Sequence, residues 1–263
     1  MRLEPGQVAV VTGAGSGIGR ALADAFVARG LQVAALDVEP KALDDLPETI
    51  HTAVCNVTDA DRFIEIRDEV LERYGRVDVL CNNAGVVGPR VPTWEQERPD
   101  WRWVLDVNLW GVVNGLAAFL PTLVAAGQGH VVNVASIAGL APVRGGGNAP
   151  YAASKYAVVG LSETLAVELG ERAPGVGVTV VCPGPVATRI REAERNRPAA
   201  LQRAAPAATP TFDNTAARIS AADVAGKVLD AIERRQLFLL PNKETADEVR
   251  ERTDRLFADL PDR

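Results

Sequence analysis

A glycine-rich turn between an apolar run and a helical pattern constrains the fold of this chain most. The apolar run over residues 8–11 is typical of a buried parallel strand, and residues 20–29 have the periodicity of a helix. Gly13, Gly17 and Gly19 stand between them. The N–H groups at the start of such a helix point outward, and the helix dipole favours negative charge there. The segment therefore predicts a strand–turn–helix unit that holds a pyrophosphate, with an ordinary glycine turn as the alternative.

Apolar runs alternate with helical patterns along the rest of the chain. Strands are predicted near residues 7–11, 31–36, 50–54, 77–81, 129–134, 176–182 and 236–239. Helices are predicted near residues 17–29, 40–46, 59–73, 100–125, 150–173, 187–204 and 220–234. This alternation predicts an α/β fold, a single doubly wound Rossmann-like domain over residues 1–263. Its seven-stranded parallel sheet would carry helices on both faces, in the strand order 3-2-1-4-5-6 with a seventh strand at the edge.

Composition narrows the class of protein. The 263 residues are 47% hydrophobic, which is enough for one large soluble domain. A net charge of -6 argues against nucleic acid as a partner. No apolar run reaches the length of about 18 residues that marks a transmembrane helix, so no membrane partner is predicted. The first strand begins almost at once and leaves no room for a signal peptide, which predicts a cytoplasmic protein.

The cysteines and histidines indicate neither disulfides nor a metal site. Cys55, Cys81 and Cys182 each lie near the end of a predicted strand, and an odd number with apolar flanks predicts buried thiols. His51 and His130 are far apart in the sequence. No spacing typical of metal ligands is present, so no metal is predicted.

Asp37 ends the second predicted strand, which covers residues 32–37. It follows Gly13 by 24 residues, close to the offset of the acidic residue that binds ribose in dinucleotide-binding folds. A carboxylate at that place accepts hydrogen bonds from the ribose hydroxyls and repels a 2′-phosphate. None of the next three residues is basic, so the sequence favours NAD over NADP. A helix N-cap before Lys41 is the alternative role.

A tyrosine and a lysine four positions apart form a candidate proton-transfer pair. Tyr151 and Lys155 would lie on one face of a helix. A nearby ammonium favours the phenolate and lowers the tyrosine pKa from its ordinary value of about 10. Ser136 follows the apolar run over residues 131–135, where its hydroxyl would stabilise charge on a substrate oxygen. A solvated helix face for the pair and a helix cap for the serine are the alternatives.

Together these residues resemble the short-chain dehydrogenase/reductase family. The motifs that carry the resemblance are Thr12-Gly-x3-Gly-x-Gly19, Asn82-Asn-Ala-Gly85, Asn108, Ser136, Tyr151-x3-Lys155 and Pro183-Gly184. They are spread over the chain from Val8 to about Pro241. The resemblance implies a Rossmann-like domain, nicotinamide-dependent oxidation or reduction at an alcohol carbon, and a homotetramer. Helical faces rich in alanine and valine could instead pack on the sheet, so the oligomer rests on the resemblance.

The resemblance also implies which residues act. The catalytic residues would be Asn108, Ser136, Tyr151 and Lys155, with Ser136 and not Ser154 as the catalytic serine. The cofactor would be bound by Gly13, Ser16, Gly17, Ile18, Gly19, Asp37, Val38, Asn56, Val57, Asn83, Ala84, Gly85, Tyr151, Lys155, Pro183, Gly184, Val186 and Thr188. In the family the residue at Asn108 holds a water that relays protons to the lysine. A structural asparagine that bridges backbone groups is the alternative, and the two roles are compatible.

Two departures from the family pattern concern the ligand pocket. The family commonly has an aspartate where this chain has Asn56, and the asparagine carbonyl could still contact the adenine amino group. The segment between Ser136 and Tyr151 is longer than usual and holds three successive glycines within residues 144–148. Glycines permit unusual backbone angles, so an atypical substrate pocket is expected.

Residues 189–220 are expected to form a lid over the active site, because they follow the sixth strand and hold prolines at 198, 206 and 210. A solvated connector is the alternative. The arginines at 189, 191, 195, 197 and 203 either attract an anionic substrate or simply solvate the segment. A bulky, apolar secondary alcohol is the expected substrate. Its pocket would be formed by Trp94, Trp101, Trp103, Leu201 and Phe212, which could equally be core or subunit-contact residues.

The sequence therefore predicts a reversible NAD-dependent alcohol dehydrogenase that needs no metal and uses Tyr151 as its general acid and base. An NADP-dependent carbonyl reductase is the alternative within the family. A cofactor-sensing binding protein without catalysis is the alternative from another class, although its expected mark, a lost Tyr151, Lys155 or Ser136, is absent. An epimerase or dehydratase would have a different glycine spacing and a longer substrate domain.

Overall fold

Seven parallel strands form one sheet at the centre of the molecule. The computed structural model describes residues 1–142, 145–204 and 218–258. The strands are β1 (Val8–Thr12), β2 (Gln32–Asp37), β3 (His51–Val54), β4 (Val79–Asn82), β5 (Gly129–Val134), β6 (Val176–Val181) and β7 (Phe238–Leu239). Their order is β3-β2-β1-β4-β5-β6-β7, with every neighbouring pair parallel. The predicted fold class and strand order are confirmed.

Eight α-helices surround the sheet in the described part of the chain. They are α1 (Gly17–Ala28), α2 (Pro40–Asp44), α3 (Ala60–Tyr74), α4 (Arg98–Leu105), α5 (Gly111–Ala125), α6 (Ala149–Arg172), α7 (Ala221–Arg234) and α8 (Ala246–Ala258). The prediction of a helix over residues 187–204 is wrong. Short 3-10 turns cover Ile190–Asn196 and Ala199–Leu201 instead, and Pro198 between them lacks the N–H that a continuous helix needs. Helix α8 was not predicted.

Alternate residues of β1 face two separate apolar layers. Ala9 and Val11 pack in the layer that α1 and α7 cover, whereas Val8 and Val10 pack in the layer that α3 and α5 cover. All five residues of the strand are buried. Strands covered on both faces are apolar throughout, which explains why the sequence shows a continuous run here and no alternation. The three cysteines are free and buried, as expected.

The segment predicted as one helix over residues 100–125 consists of α4, a π-helical turn at Asp106–Trp110 and α5, without a break between them. By length and composition alone, Arg98–Ala125 could cross a membrane. Core helices of α/β folds pass the same test, and here Phe119 and Leu123 are completely buried among the side chains beneath the sheet. A single helix of this kind is weak evidence for a membrane span.

One buried carboxylate joins the starts of two central strands. Asp78, directly before β4, accepts a hydrogen bond from the Val8 N–H at 2.8 Å, and its own N–H donates to the Val8 carbonyl at 2.8 Å. The guanidinium of Arg76 donates to both carboxylate oxygens. The Asp78 side chain is 3% exposed. The register of β1 against β4 is therefore fixed before the strands reach their ligand-binding ends.

Replacing Asp78 with alanine should lower the free energy of unfolding by about 2–4 kcal/mol, because the buried Val8 N–H and the Arg76 guanidinium each lose an acceptor. Asp78→Asn should cost less, since an amide oxygen still accepts. Urea denaturation measures both, with Asp68→Ala, a 62% exposed aspartate paired with Arg67, as the matched control. A loss no larger than that of the control would contradict this role.

Candidate active site

The carboxyl ends of the central strands open into one cavity of about 420 Å³. The residues of the predicted cofactor and catalytic set that line it are Gly13, Ser16, Gly17, Ile18, Asp37, Val38, Asn56, Val57, Asn83, Ala84, Gly85, Ser136, Tyr151, Lys155, Pro183, Gly184, Val186 and Thr188. Gly19 and Asn108 are the two members of that set that do not line it. In a parallel sheet the carboxyl ends of the strands meet at one edge, which is why residues so far apart in sequence converge here.

The glycine turn between β1 and α1 forms a close-fitting cradle at one end of this cavity. Gly13 and Gly17 have φ of 65° and 55°, a left-handed conformation that favours glycine. A Cβ at Gly13 would lie 2.9 Å from the Ala84 Cα, and one at Gly15 would lie 2.9 Å from an Asp37 carboxylate oxygen. A Cβ at Gly19 would overlap the Gly13 carbonyl, so Gly19 serves the packing of the helix against the turn. The cradle fits a dinucleotide pyrophosphate at the N-terminus of α1.

Asp37 is held against this cradle by backbone N–H groups. Its carboxylate accepts from the Gly15 N–H at 2.8 Å and from the Glu39 N–H at 3.0 Å. The N-cap of α2 is Glu39 and its first residue is Pro40, so the alternative that Asp37 caps this helix is wrong. The carboxylate is thus fixed next to the pyrophosphate cradle, where the ribose of a bound dinucleotide would lie.

Asparagines at the end of β4 tie the strands around the cavity together. The side-chain N–H of Asn83 donates to the Thr12 carbonyl at 2.8 Å, and the Thr12 hydroxyl accepts from the backbone N–H groups of Asn83 and Ala84. Asn82 donates to the side chain of Asn133 on β5 at 2.9 Å. These amides therefore join β4 to both of its neighbours, β1 and β5.

The segment that follows β3 lines the cavity with Asn56 and Val57. The Asn56 side-chain carbonyl, which was expected to contact the adenine amino group, accepts from the Thr58 N–H at 3.1 Å. A carbonyl oxygen has two lone pairs, so one acceptor position is left for a ligand. Among the described residues, no group of three or more His, Cys, Asp and Glu side chains is arranged to hold a metal ion.

The same cavity is lined by three side chains of the predicted catalytic group, Ser136, Tyr151 and Lys155. Ser136 directly follows the last residues of β5 and is 8% exposed, whereas Tyr151 and Lys155 lie four residues apart on α6. The Lys155 ammonium donates to the Val134 carbonyl at 2.9 Å and lies 5.6 Å from the centre of the Tyr151 ring. One serine hydroxyl, one phenol and one ammonium therefore face the same space.

Burial controls the ionisation of this pair. Burial raises the pKa of Tyr151 above its ordinary value, and a hydrogen bond with Ser136 opposes the rise. Burial also lowers the pKa of Lys155, to about 8. The structure therefore contradicts the expectation that Lys155 lowers the pKa of Tyr151. The loss of hydration dominates, and the Lys155 ammonium is itself desolvated and donates to a carbonyl.

Asn108 lies in the π-helical turn and is completely buried. Its amide donates to the Val86 carbonyl and to the Ser154 hydroxyl, both at 3.0 Å, and its carbonyl accepts from the Val86 N–H at 2.8 Å. Ser154 also donates to the Tyr151 carbonyl at 2.7 Å and is completely buried. Asn108 therefore bridges the backbone at Val86 and the side chain of Ser154. Ser154 does not line the cavity that Ser136 lines. The proton relay stays a prediction.

The segment after β6 reaches the cavity with Pro183, Gly184, Val186 and Thr188. The Gly184 N–H donates to the side-chain carbonyl of Asn242 at 3.0 Å, and the Asn242 amide donates to the Pro185 carbonyl at 3.2 Å. Asn242 follows β7 and was not identified from the sequence, because an isolated asparagine in a turn carries no motif. It holds the loop after β6, whose residues were expected to bind the cofactor.

Part of the predicted lid is anchored by a buried ion cluster that sequence analysis missed. Asp100 on α4 is completely buried and pairs with Arg197 at 2.9 Å and with Arg203. The Arg197 guanidinium also stacks on the Trp103 ring at 4.4 Å. On the other side of the cavity, the 3-10 turn at Ile190–Asn196 contacts the end of β2, where the Asn196 amide donates to Glu39 at 2.8 Å. The segment thus spans the cavity mouth between α4 and β2.

The expected apolar pocket is borne out only in part. Trp103 and Leu201 line the cavity. The prediction is wrong for Trp94 and Trp101, neither of which lines the cavity. Trp94 lies in the 3-10 turn Thr93–Glu95 before α4 and is 85% exposed, whereas Trp101 lies on α4 but is not one of its buried residues. Phe212 and the prolines at 206 and 210 lie outside the described residues.

The glycine loop before α6 has the unusual backbone that its composition predicts. Gly145, Gly146 and Gly147 have φ of 74°, 68° and 75°, and Asn148 follows with φ of 62°. Four successive left-handed residues turn the chain sharply into the helix that carries Tyr151. Residue 144 of this loop is outside the described part of the chain.

Comparison with known proteins agrees with this geometry. The model of the short chain dehydrogenase family matches residues 7–199. The 3-oxoacyl-acyl-carrier-protein reductase FabG of Thermotoga maritima is 39% identical over 212 residues, which cover 77% of this chain and 84% of that protein. A 1-deoxy-11-beta-hydroxypentalenate dehydrogenase of Streptomyces exfoliatus is 35% identical over 257 residues, which cover 94% of this chain and 87% of that protein.

A solved structure matches nearly the whole chain. It is a short chain dehydrogenase/reductase from Burkholderia phymatum in complex with NAD, which superposes with a TM-score of 0.90 at 33% identity and covers 99% of this chain and 98% of its own. The two chains therefore share one fold over nearly their whole length. The chain belongs to the short-chain dehydrogenase/reductase family of oxidoreductases.

Proposed function

We propose that this oxidoreductase interconverts a secondary alcohol and a ketone with NAD as its cofactor. The observation that carries the proposal is the convergence of Ser136, Tyr151 and Lys155 on the same cavity that the glycine cradle and Asp37 line. A bound nicotinamide would accept a hydride from the alcohol carbon or return it to the ketone. The chain itself must then move a proton and stabilise charge on the substrate oxygen.

Tyr151 is the general acid and base in this proposal. In oxidation its phenolate accepts the hydroxyl proton of the substrate, and in reduction its phenol donates a proton to the carbonyl oxygen. Ser136 donates to the same oxygen and holds it beside the tyrosine. Lys155 favours the phenolate electrostatically and contacts the cofactor ribose. Asn108, which fixes the loop at Val86, supports a water path for the proton.

The cofactor choice rests on Asp37. Its two backbone donors keep the carboxylate in place, and a 2′-phosphate there would meet a like charge. The alternative of NADP-dependent ketone reduction gains from Arg195, which lines the cavity near Asp37. Its guanidinium is paired with Glu39, and a paired cation attracts a phosphate less strongly. This balance favours NAD.

A bulky substrate with an apolar body fits the other half of the cavity. Val86, Val87, Trp103 and Leu201 line it. The names of two relatives point the same way, since one refers to a hydroxypentalenate and the other to a 3-oxoacyl group. We infer in addition that residues 189–220 act as a substrate lid on a single domain, and that the enzyme is a homotetramer, as the resemblance implies. A cytoplasmic location stays a prediction.

The first test is the activity of Tyr151→Phe. Without the phenol oxygen no proton transfer is possible at this position, so kcat/KM should fall by about 10²–10⁴-fold. The assay is NAD+ reduction with a panel of secondary alcohols at alkaline pH, in parallel with NADH oxidation by the matching ketones. Tyr156→Phe, on the same helix but outside the cavity, is the control and should keep its activity. Near-full activity of Tyr151→Phe would refute the mechanism, and NADH binding without any turnover of wild type would favour the sensor alternative.

Lys155→Met should abolish turnover and yet stabilise the protein at neutral pH. Folding lowers the pKa of Lys155 from 10.5 to about 8. At neutral pH the folded state therefore carries a buried charge, which lowers its stability. The penalty fades as the pH rises from about 8 towards 10.5, where the lysine becomes neutral. The variant should be about 1–2 kcal/mol more stable near pH 7, and this advantage should disappear at high pH, where only the loss of the hydrogen bond to Val134 remains.

Urea denaturation across this pH range measures the stability difference, with the exposed Lys41→Met as the control. A variant that is less stable at neutral pH, or a difference that does not shrink with rising pH, would contradict the buried-charge interpretation.

Asp37→Asn tests the cofactor assignment. The amide keeps one acceptor for the backbone donors but removes the charge that repels a 2′-phosphate. The ratio of kcat/KM for NADP+ to that for NAD+ should rise at least about tenfold, which corresponds to about 1.4 kcal/mol. Asp44→Asn, on α2 outside the cavity, should leave the ratio unchanged. A wild-type enzyme that prefers NADP+ would overturn the assignment, and an unchanged ratio would show that another residue selects the cofactor.

A further inference from the structure

One buried arginine supports the apolar wall of the cavity from behind. The Arg197 side chain is completely buried and does not itself line the cavity. Its guanidinium donates to the Asp100 carboxylate and to the Leu201 carbonyl, both at 2.9 Å, and stacks on the Trp103 ring at 4.4 Å. Trp103 and Leu201 both line the cavity. A single side chain outside the cavity therefore contacts two parts of its wall.

The two contacts on α4 follow from the spacing of residues on a helix. Asp100 and Trp103 are three positions apart, so they lie on the same face of α4, and both are buried. The Asp100 carboxylate also accepts from the Glu97 N–H at 2.8 Å, as part of a capping box that fixes it at the start of the helix. A planar guanidinium paired with this carboxylate therefore comes to lie against the ring one turn further along.

The supported wall continues to the proposed catalytic tyrosine. A buried apolar cluster consists of Val86, Trp103, Val104 and Ala193. Tyr151 and Leu201 pack against this cluster. A substrate whose hydroxyl is bound at Tyr151 would place its apolar body along this wall, so a shift of the Trp103 ring would change the space that the body occupies.

The guanidinium joins two elements that are distant in sequence. Trp103 belongs to α4, whereas Leu201 belongs to the 3-10 turn Ala199–Leu201. The charges around the guanidinium are balanced, since Asp100 also pairs with Arg203, and Glu194 lies 2.7 Å from the Arg197 Nε. Separation of a buried ion pair leaves an uncompensated charge, which is strongly unfavourable. The guanidinium therefore keeps both parts of the wall in fixed positions.

We propose that Arg197 is a positioning residue for substrate specificity: by holding the Trp103 ring and the Leu201 backbone in place, it makes the cavity select secondary alcohols and ketones with a bulky apolar body. The inference rests on the proposed alcohol–ketone chemistry at Tyr151 and names the residue that sets its size preference. A lysine would keep a charge for Asp100, but an ammonium is not planar and cannot replace the stacked guanidinium.

A purely structural role for the ion pair is the alternative. An ion pair that only stabilises the fold would, when weakened, reduce the amount of active enzyme and lower the activity with every substrate alike. A positioning residue would instead change the preference between substrates of different size. The ratio of kcat/KM for a bulky and a small alcohol therefore distinguishes the two roles.

Two alcohols that share the same reacting group provide the experiment. The probes are 1-cyclohexylethanol and 2-butanol, which both carry a methyl group on the carbinol carbon and differ in the apolar body. Wild type should show kcat/KM at least about tenfold higher for 1-cyclohexylethanol, as expected for added apolar contacts in a pocket. Arg197→Lys should bring this ratio towards one through a higher KM for the bulky alcohol, with kcat for 2-butanol unchanged.

Arg76→Lys is the matched control, because Arg76 donates to both oxygens of another buried carboxylate, Asp78, at the opposite edge of the sheet. It should lower the stability but leave the ratio unchanged. Thermal denaturation and NADH titration verify that each variant is folded and binds cofactor. A ratio that survives in Arg197→Lys, an equal loss of kcat with both alcohols, or the same loss of preference in Arg76→Lys would each overturn the proposal.

Two further variants test the route of the effect. In a Trp103→Leu background, Arg197→Lys should change the ratio much less than in wild type, because the ring that it positions is gone. An equal change in both backgrounds would contradict an action through Trp103. The double variant Asp100→Asn/Arg197→Met replaces the buried pair with neutral side chains, a change that proteins often tolerate, and it should lose the preference in the same way even if Arg197→Lys does not fold.

A binding measurement separates this inference from the proposed function. The probes are the tertiary alcohols made by adding a methyl group to the carbinol carbon of each substrate, which have no hydride to transfer. Ligand-detected NMR titration of the NAD+-loaded protein should show tighter binding of the bulky tertiary alcohol, and Arg197→Lys should remove this preference. That result supports the inference even if wild type oxidises no alcohol. A wild type without a size preference in binding, or a preference that persists in Arg197→Lys, would overturn it.

Discussion

The parallel register of the sheet is the constraint on which the site depends. Because all seven strands run in one direction, their carboxyl ends meet at a single edge, and the turns that leave them share one cavity. That edge brings Gly13, Asp37, Asn83 and Ser136 together, although they lie at the ends of four different strands. The register is set at the opposite end, where Asp78 joins the starts of β1 and β4. The contacts that fix the register and the residues that line the cavity therefore lie at opposite edges of the same sheet.

The Tyr151–Lys155 pair shows why burial matters to proton transfer as much as proximity does. A lysine beside a tyrosine favours the phenolate, but enclosure of both groups raises the pKa of the phenol and lowers that of the ammonium. The fold therefore holds a neutral phenol next to a cation that is costly to keep charged. Residues that are costly to the fold in this way are typical of active sites.

Local patterns in the sequence predicted the sheet, the glycine cradle and the residues of the proton-transfer group, since each depends on neighbours along the chain. Features that depend on distant partners were missed. The buried pair of Asp100 and Arg197 joins residues 97 positions apart, and no spacing rule indicates it. Helix α8 has no fully buried residue, so it lacks the apolar stripe that reveals a helix in sequence. The helix predicted over residues 187–204 does not form as one element, because Pro198 lacks the N–H that a continuous helix needs.

Two arginines in the segment after β6 have partners that are buried to different extents. Arg197 reaches a carboxylate that has no access to water, so separating them would leave an unpaired charge in the core, and the segment is fixed there. Arg195 meets Glu39 nearer the surface, where an ion pair contributes little to stability and exchanges readily. The segment is therefore anchored firmly over α4 and weakly over β2. Trp103 and Leu201 line the cavity at the firmly anchored end, where the Arg197 guanidinium stacks on the Trp103 ring.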